Sequence, residues 1–557
     1  MIRVAQAGAG LLAAFILFLQ PSSAMSKDLP SQVPPVVHAP AGALRGTVED
    51  RLLVFKGIPY AEAPVGPRRW RAPVPKAKWA GVRDATQFGP ACFQPEGKLN
   101  NIYANKPYPM SEDCLSLNIW APAHADDAPV FFWIYGGALW GGTSRDPMYD
   151  GSKLASRGIV VVSINYRVGP LGWLAHPQLS AESPDGLSGN YGLLDQIEAL
   201  RWVKRNISAF GGDPSNVTIA GESAGGLSVV YLLASPPARG LFAKAIAESA
   251  YMISTPDLKA ARHGAPSAEA AGVALGEKLH APTIDALRAM DPERLTNEAA
   301  AAGFAPFGAA DGKVLPRQLV DVFDRGEQAH VPILAGFNSG EIRSLKILAP
   351  PPAANADEYV KKIREKYGDL ADEFLRLYPP TNMEESILAA TRDGLYGWTA
   401  ERLVRKQADV GMASYLYLFD HGYPAADQAG LHAFHASELP YVFGTFVGGT
   451  PPLWPKVPDT SRERALSDAM IDYWTSFART GHPAAAHDAA WPRFGTAGTY
   501  MHFGEVPKAE TRLMPGMYEL NEQVMCRRRA AGNEPWNWNV GLASPDMPPP
   551  TKSCERH

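Results

Sequence analysis

The sequence predicts an α/β protein: a large, mostly parallel central sheet flanked by helices, with extended loop and helical insertions. Two observations carry that prediction. Short, wholly apolar runs bounded by glycine recur along the chain, and amphipathic stretches lie between them. Apolar runs without polar alternation read as strands buried on both faces. Strands separated by helical periodicity need crossovers, and crossovers place helices over both sides of a parallel sheet.

Taken in chain order, the first two dozen residues stand apart. Arg3 supplies a positive start, Ala7 to Leu19 holds the apolar run, Pro21 breaks it, and Ser22-Ser23-Ala24 offers small residues for cleavage. The run is too short and wrongly flanked for a stable membrane span, so residues 1–24 read as a cleaved signal peptide. The expectation is a periplasmic or secreted chain starting near Met25. No cysteine follows the run to carry a lipid. The remainder, 25–557, shows no Gly/Ser linker, repeat or like-charge block and reads as one domain. The full chain's 53 basic and 57 acidic residues are interspersed, leaving a net charge of −4. That balance gives no electrostatic reason for a nucleic-acid or anionic-membrane partner. It does not address oligomeric state.

The strands are read at Val130–Tyr135, Ile159–Ile164, Val217–Ala220, Pro332–Ala335 and Tyr415–Phe419. Between them, Leu193 to Arg205 places Leu194, Ile197, Leu200 and Trp202-Val203 near one helical face. Four cysteines, Cys92, Cys114, Cys526 and Cys554, include no C-x-x-C spacing, so an exported chain would use them as disulfides. Three pairings are open. The sequence-local one is Cys92–Cys114 with Cys526–Cys554, each bridge worth on the order of 3 kcal/mol. The second would pin a proline-rich tail.

Gly221-Glu222-Ser223-Ala224-Gly225 is a G-x-S-x-G sequence. The pattern alone is weak, but here a β-branched strand enters it and Leu227–Leu233 continues as a helix. Small flanking residues permit the sharp strand-to-helix turn that lifts a serine hydroxyl out of a sheet edge. The nearby helix N-terminus favours developing negative charge. A serine alcohol needs a base, and His432 and His435 compete for that role on spacing alone. Glu341, after the Pro332–Ala335 strand that runs into Gly336, is the candidate acid that would orient the histidine. Nucleophile, acid and histidine then follow the chain order of α/β-hydrolases. The glycine-rich Tyr135–Gly142 stretch follows a strand well before Ser223, where an oxyanion loop belongs. No Gly-Lys-Ser/Thr follows it, which disfavours a phosphate loop.

These residues resemble the type-B carboxylesterase and cholinesterase family over nearly the whole mature length. The landmarks are Phe55-Lys56-Gly57-Ile58-Pro59-Tyr60-Ala61, Ser111-Glu112-Asp113-Cys114, Asn165-Tyr166-Arg167, Asn190-Tyr191-Gly192 and Phe210-Gly211-Gly212-Asp213-Pro214. The resemblance implies an α/β-hydrolase fold and carboxylic ester hydrolysis of small molecules through Ser223, needing no metal or cofactor. It selects His435 as base, because Glu438 and Tyr441-Val442-Phe443-Gly444 follow it as they follow the family's histidine. It further implies Glu341 as acid, oxyanion N–H groups on Gly137, Ala138 and Ala224, and Glu222, Ser249 and Glu438 as their supports. Cys92–Cys114 matches the family's N-terminal bridge; Cys526–Cys554 remains leftover pairing. Ala138 stands where many members carry a third glycine, and Gly340-Glu341-Ile342 stands where many carry Asp-Glu-Gly.

Trp140, Trp173 and Tyr191 are candidates for an aromatic pocket wall or for ordinary core, and Pro350-Pro351-Pro352 for the entrance rim. Arg343 and Lys346 follow Glu341 closely. They raise the idea of an acidic ester substrate against the commoner reading of surface charge. A non-catalytic binding protein on this fold is the alternative from another class, but every candidate catalytic position is filled. Amide or thioester hydrolysis by the same triad is left open.

Overall fold

The computed structural model describes residues 34–95, 101–105, 108–532, 535–536 and 540–554. The expected signal peptide and the start near Met25 lie outside them. In chain order the strands are β1 Val36–Ala39, β2 Gly42–Arg45, β3 Thr47–Glu49, β4 Leu52–Pro59, β5 Val82–Asp84, β6 Ser116–Pro122 and β7 Ala128–Ile134. There follow β8 Val160–Ile164, β9 Gly212–Glu222, β10 Lys244–Glu248, β11 Ile333–Asn338, β12 Ser414–Phe419, β13 Thr499–Phe503 and β14 Pro507–Thr511. Strands β1, β2 and β5 form a small sheet beside an 11-stranded one of order β14-β13-β12-β11-β10-β9-β7-β8-β6-β4-β3. From β8 to β13 that order is unbroken parallel pairing, with antiparallel strands at both margins.

The apolar runs are apolar because both sheet faces are covered. In β7, Val130, Phe132 and Ile134 enter one core while Phe131 and Trp133 enter the other. The first core is filled by Leu193, Ile197, Leu200 and Val203 of the Tyr191–Asn206 helix and by Leu227, Val230 and Leu233 of the Ala224–Ala234 helix. The second takes Met470, Trp474 and Phe477 from the Ser461–Thr480 helix. Each side chain of this size contributes roughly 1.5–3 kcal/mol on full burial. A polar residue at any of these inward positions would break the strand's claim to a central place.

The chain visits β7, then β8 on one side, then β9 on the other. Strand order therefore reverses at β7, and the carboxyl ends of the strands at such a reversal are where open α/β sheets place their ligand sites. The Gly136–Gly142 loop leaves β7 and Ser223 leaves β9, so the two meet at the reversal. Both disulfides are present, Cys92–Cys114 and Cys526–Cys554. Among the described residues no helix is long and apolar enough to cross a membrane.

Candidate active site

Ser223 occupies the single residue between β9 and the Ala224–Ala234 helix, at φ 56° and ψ −119°. A positive φ at a non-glycine residue stores on the order of 1–3 kcal/mol and persists only where surroundings enforce it. Here the Ser223 N–H donates to the Glu248 carbonyl on β10 at 3.0 Å, and the Ser223 carbonyl accepts from Leu227 N–H at 2.8 Å. The turn also needs its glycines. A Cβ at Gly221 would stand 2.6 Å from the Gly225 backbone, and one at Gly225 would stand 2.1 Å from Ile134 O.

The loop after β7 abuts this turn: the Gly136 Cα lies so close that a Cβ would meet Ser223 Cβ at 3.1 Å. Trp140 and Gly141 N–H both donate to Gly137 O, curling the loop. Ala138 and Leu139 adopt φ 54° and 59°, so the alanine takes the left-handed conformation that a glycine would hold at lower cost. Gly137 and Ala138 are exposed. Among the described residues no protein acceptor takes the N–H of Gly137, Ala138 or Ala224. Three free donors thus flank a half-buried serine at a helix N-terminus.

Glu341 follows β11 and is fully buried. Its Oε1 accepts the Asn338 N–H at 2.8 Å, and its Oε2 pairs with His435 Nδ1. Backbone pairing of Gly340 with Phe434 joins the two loops, Gly340 N–H donating to Ala433 O at 2.8 Å. His432 is engaged elsewhere. Its Nδ1 lies 2.8 Å from Asp427 and its Nε2 3.2 Å from Asp420, so neither ring nitrogen is left for a serine. Hydrogen bonding to Asp420, then to Asp427, holds its pKa up at about 9 against the opposing effect of burial.

His435 Nε2 faces Glu222, whose Oε1 lies 3.1 Å away. Among the described residues no hydrogen bond joins it to Ser223. Burial opposes the charged imidazole, but the Glu222 and Glu341 carboxylates outweigh burial and raise its pKa to about 9. Glu222 and Glu248 are register partners on β9 and β10. Burial pushes Glu222 up to about 7, with His435 opposing and Glu341 adding. Burial likewise pushes Glu248 up to about 8, with the Trp474 hydrogen bond opposing and Glu222 adding, as two buried carboxyls on adjacent strands resist joint ionisation. Glu438 is raised well above the usual carboxyl range by burial and by Glu222, Glu248 and Glu341. Its Oε2 takes the Asn338 side-chain amide. Ser249, at φ 45°, is fully buried and donates its N–H to Gly336 O. Among the described residues no hydrogen bond joins it to Glu438.

Of the three aromatic wall candidates, Trp140 is partly exposed and packs edge-on against Phe304 at 6.0 Å. Trp173 lies in the first core against Tyr231, and Tyr191 sits under the Arg167 guanidinium at 5.4 Å. Arg343 is bound to Glu385 by 2.8 Å contacts. Two aromatic neighbours of His435 were not legible in the sequence, Tyr396 at 5.3 Å and Tyr103 at 6.4 Å between ring centroids. Among the described residues no group of three or more His, Cys, Asp or Glu could hold a metal ion.

The strand-order reversal, the strained serine and the acid–histidine pair define the class: an enzyme of the α/β-hydrolase fold. A family model described as "Carboxylesterase family" matches residues 33–520. The chain is 38% identical over 485 residues to the fumonisin B1 esterase of Sphingopyxis macrogoltabida, covering 84% of this chain and 86% of that one. It is 37% identical over 466 residues to the para-nitrobenzyl esterase of Bacillus subtilis, covering 82% and 92%. The solved Geobacillus stearothermophilus carboxylesterase EST55 superposes with a TM-score of 0.74 at 34% identity, covering 89% of this chain and 99% of that one. The chain belongs to the carboxylesterase family and is a carboxylesterase.

Proposed function

We propose that the enzyme hydrolyses small-molecule carboxylic esters through an acyl-enzyme on Ser223. The observation that carries the reading is the convergence of three free N–H donors on a partly exposed, strained serine, beside a histidine whose Nδ1 is held by Glu341. In the cycle, His435 Nε2 leaves Glu222 for the Ser223 hydroxyl. Such bonds commonly tighten only when substrate is bound. The imidazole takes the serine proton as Oγ attacks the ester carbonyl, and the oxyanion rests on the N–H groups of Gly137, Ala138 and Ala224. One such donor is worth roughly 3–4 kcal/mol in acyl transfer. The tetrahedral intermediate collapses, the C–O bond to the alcohol breaks, and His435 delivers the proton to the departing oxygen. Water then attacks the acyl-enzyme with the same proton relay, releasing the acid and restoring Ser223. The Glu222 and Glu341 carboxylates, which raise the His435 pKa, stabilise the imidazolium of each intermediate.

The two disulfides and the character of residues 1–24 support export, with cleavage near Ala24 and a mature single domain, 25–557, in the periplasm or outside the cell. The test of the mechanism is turnover of p-nitrophenyl acetate and butyrate by wild type and Ser223→Ala. The variant should lose activity on the order of 10⁴-fold or more. It should also resist labelling by a fluorophosphonate. Equal turnover in both proteins would refute the reading.

A further inference from the structure

Gln94, half-buried two residues after Cys92, pairs its side-chain amide with the far end of the loop that leaves β7. The Gly142 N–H donates to Gln94 Oε1 at 2.9 Å, and Gln94 Nε2 donates to Gly142 O at 3.0 Å. The second Nε2 proton goes to Cys92 O at 3.2 Å, so both amide protons are placed. The segment carrying Gln94 is itself anchored. Cys92 is closed on Cys114, and Pro90 O accepts from the Asn165 side-chain amide at 2.9 Å. Asn165 Oδ1 in turn takes the Ser144 N–H at 2.9 Å. Two side-chain amides thus tie residues 142–144 to residues 90–94.

What these ties fix is a direction. Gly137 O accepts from the N–H groups of Trp140 at 2.9 Å and Gly141 at 3.1 Å. In a planar trans peptide the C=O and the N–H that follows it point opposite ways. Pinning Gly137 O into the loop therefore aims the Ala138 N–H out of it, where among the described residues no protein acceptor meets it. Gly137, Ala138 and Leu139 all hold positive φ, of 111°, 54° and 59°, a run that persists only where its surroundings enforce it. Gly141, which supplies one of the two pins, adjoins Gly142, and a Cβ on Gly142 would stand 2.6 Å from Gly136 O. The loop is pinched at its base, and Gln94 grips the pinch. We propose that Gln94 is a positioning residue for the oxyanion hole: by clamping Gly142 it keeps Gly137 O pinned and the Ala138 N–H aimed at the ester oxygen. This rests on the reading of Gly137 and Ala138 as oxyanion donors.

Gln94→Ala removes the clamp. On p-nitrophenyl acetate kcat should fall ~10–100-fold, short of the loss of about 10²–10³ that follows complete removal of an oxyanion donor. KM should stay within about twofold, because the hole acts on the transition state. A trifluoromethyl ketone probes the hole directly. Ser223 Oγ adds to its carbonyl, the π pair moves to oxygen as an oxyanion, and the serine proton goes to His435; the matching methyl ketone stays largely unadded. The ratio of their inhibition constants should shrink by the same ~10–100-fold. The acid limb of kcat/KM should stay in place, since His435 and its carboxylates are untouched. Gly141→Ala attacks the clamp from the other side: its Cβ would lie 2.7 Å from Gln94 Oε1, at a residue whose φ is not positive. It should lower kcat alone, yet add less than about twofold to Gln94→Ala, where that oxygen is gone. Gln94→Glu, ionised at pH 8, turns a second oxygen toward Gly142 O and should behave as Gln94→Ala despite its near-identical size. A wild-type ketone ratio in Gln94→Ala overturns the proposal, whatever happens to kcat or melting temperature. So do a shifted acid limb, a change confined to KM, or additive effects of the two alanines. Failure of the underlying reading looks different: the wild-type enzyme would then bind the trifluoromethyl ketone no more tightly than the methyl ketone.

Discussion

Gly225→Ala should damage this enzyme although alanine is the better helix former. Gly225 is the second residue of the Ala224–Ala234 helix, where alanine is favoured by roughly 1 kcal/mol on propensity. Against that stands one contact: the added Cβ would lie 2.1 Å from the Ile134 carbonyl oxygen at the end of β7. A carbon and a carbonyl oxygen settle at about 3.3 Å or more, so helix and strand must part by roughly 1.2 Å. Neither atom is the mobile end of a side chain. Overpacking of this kind costs about 1–3 kcal/mol, enough to exceed the helix gain. The larger effect falls on rate, because the displaced helix carries the Ala224 N–H and the displaced strand carries the Gly137 and Ala138 loop. A misplacement near 1 Å costs on the order of 10²-fold. Turnover of p-nitrophenyl acetate should fall by about that factor, alongside a lower melting temperature by circular dichroism. Gly495→Ala, where a Cβ meets nothing within 4 Å, serves as the control. Wild-type kcat and melting in Gly225→Ala would refute the argument.

Four further outcomes follow from the site. His435→Ala should lose on the order of 10⁴-fold in kcat, whereas His432→Ala should remain within about threefold, since both its nitrogens are committed to aspartates. The His432 pKa is raised to about 9, so its stabilising effect is complete below its ordinary value near 6.5 and fades as pH rises through about 9. The melting deficit of His432→Ala should therefore shrink between pH 6 and pH 9.5, from a value kept small by exposure. Glu222→Gln removes a carboxylate that raises the His435 pKa, and the acid limb of kcat/KM should move to lower pH; a limb that stays or rises contradicts the electrostatics. Arg343→Ala should leave the turnover ratio of anionic to neutral esters unchanged, because Glu385 already occupies the guanidinium, and a tenfold change in that ratio would restore the acidic-substrate idea.

The central strands were legible because burial on two faces leaves no polar alternation. Ile159–Ile164 and Tyr415–Phe419 match β8 and β12 within a residue, and Val130–Tyr135 matches β7 within two. β10 was not read as a strand, for it begins with Lys244, ends with Glu248 and has only three apolar residues between, although all five are buried. β9 begins at Gly212, earlier than its apolar part, because Pro214-Ser215-Asn216 reads as loop. The strand-to-helix setting of Ser223 could be read because it is local. What could not be read is which strands become neighbours. Glu222 beside Glu248, and Tyr103 against His435, are meetings made by sheet order and by a loop closing across 332 residues. His432 and His435 show the same limit: three residues apart, their fates depend on carboxylates brought in from β12's end and from β11's.

The order of the disulfides along the chain bears on how the protein is made. The first cysteine pairs with the second and the third with the fourth, over separations of 22 and 28 residues. In the vectorial export proposed above, each odd cysteine would meet its native partner before any other thiol arrives. Vectorial synthesis alone therefore proofreads the connectivity, whereas a reduced, full-length chain refolded in solution must choose among three pairings.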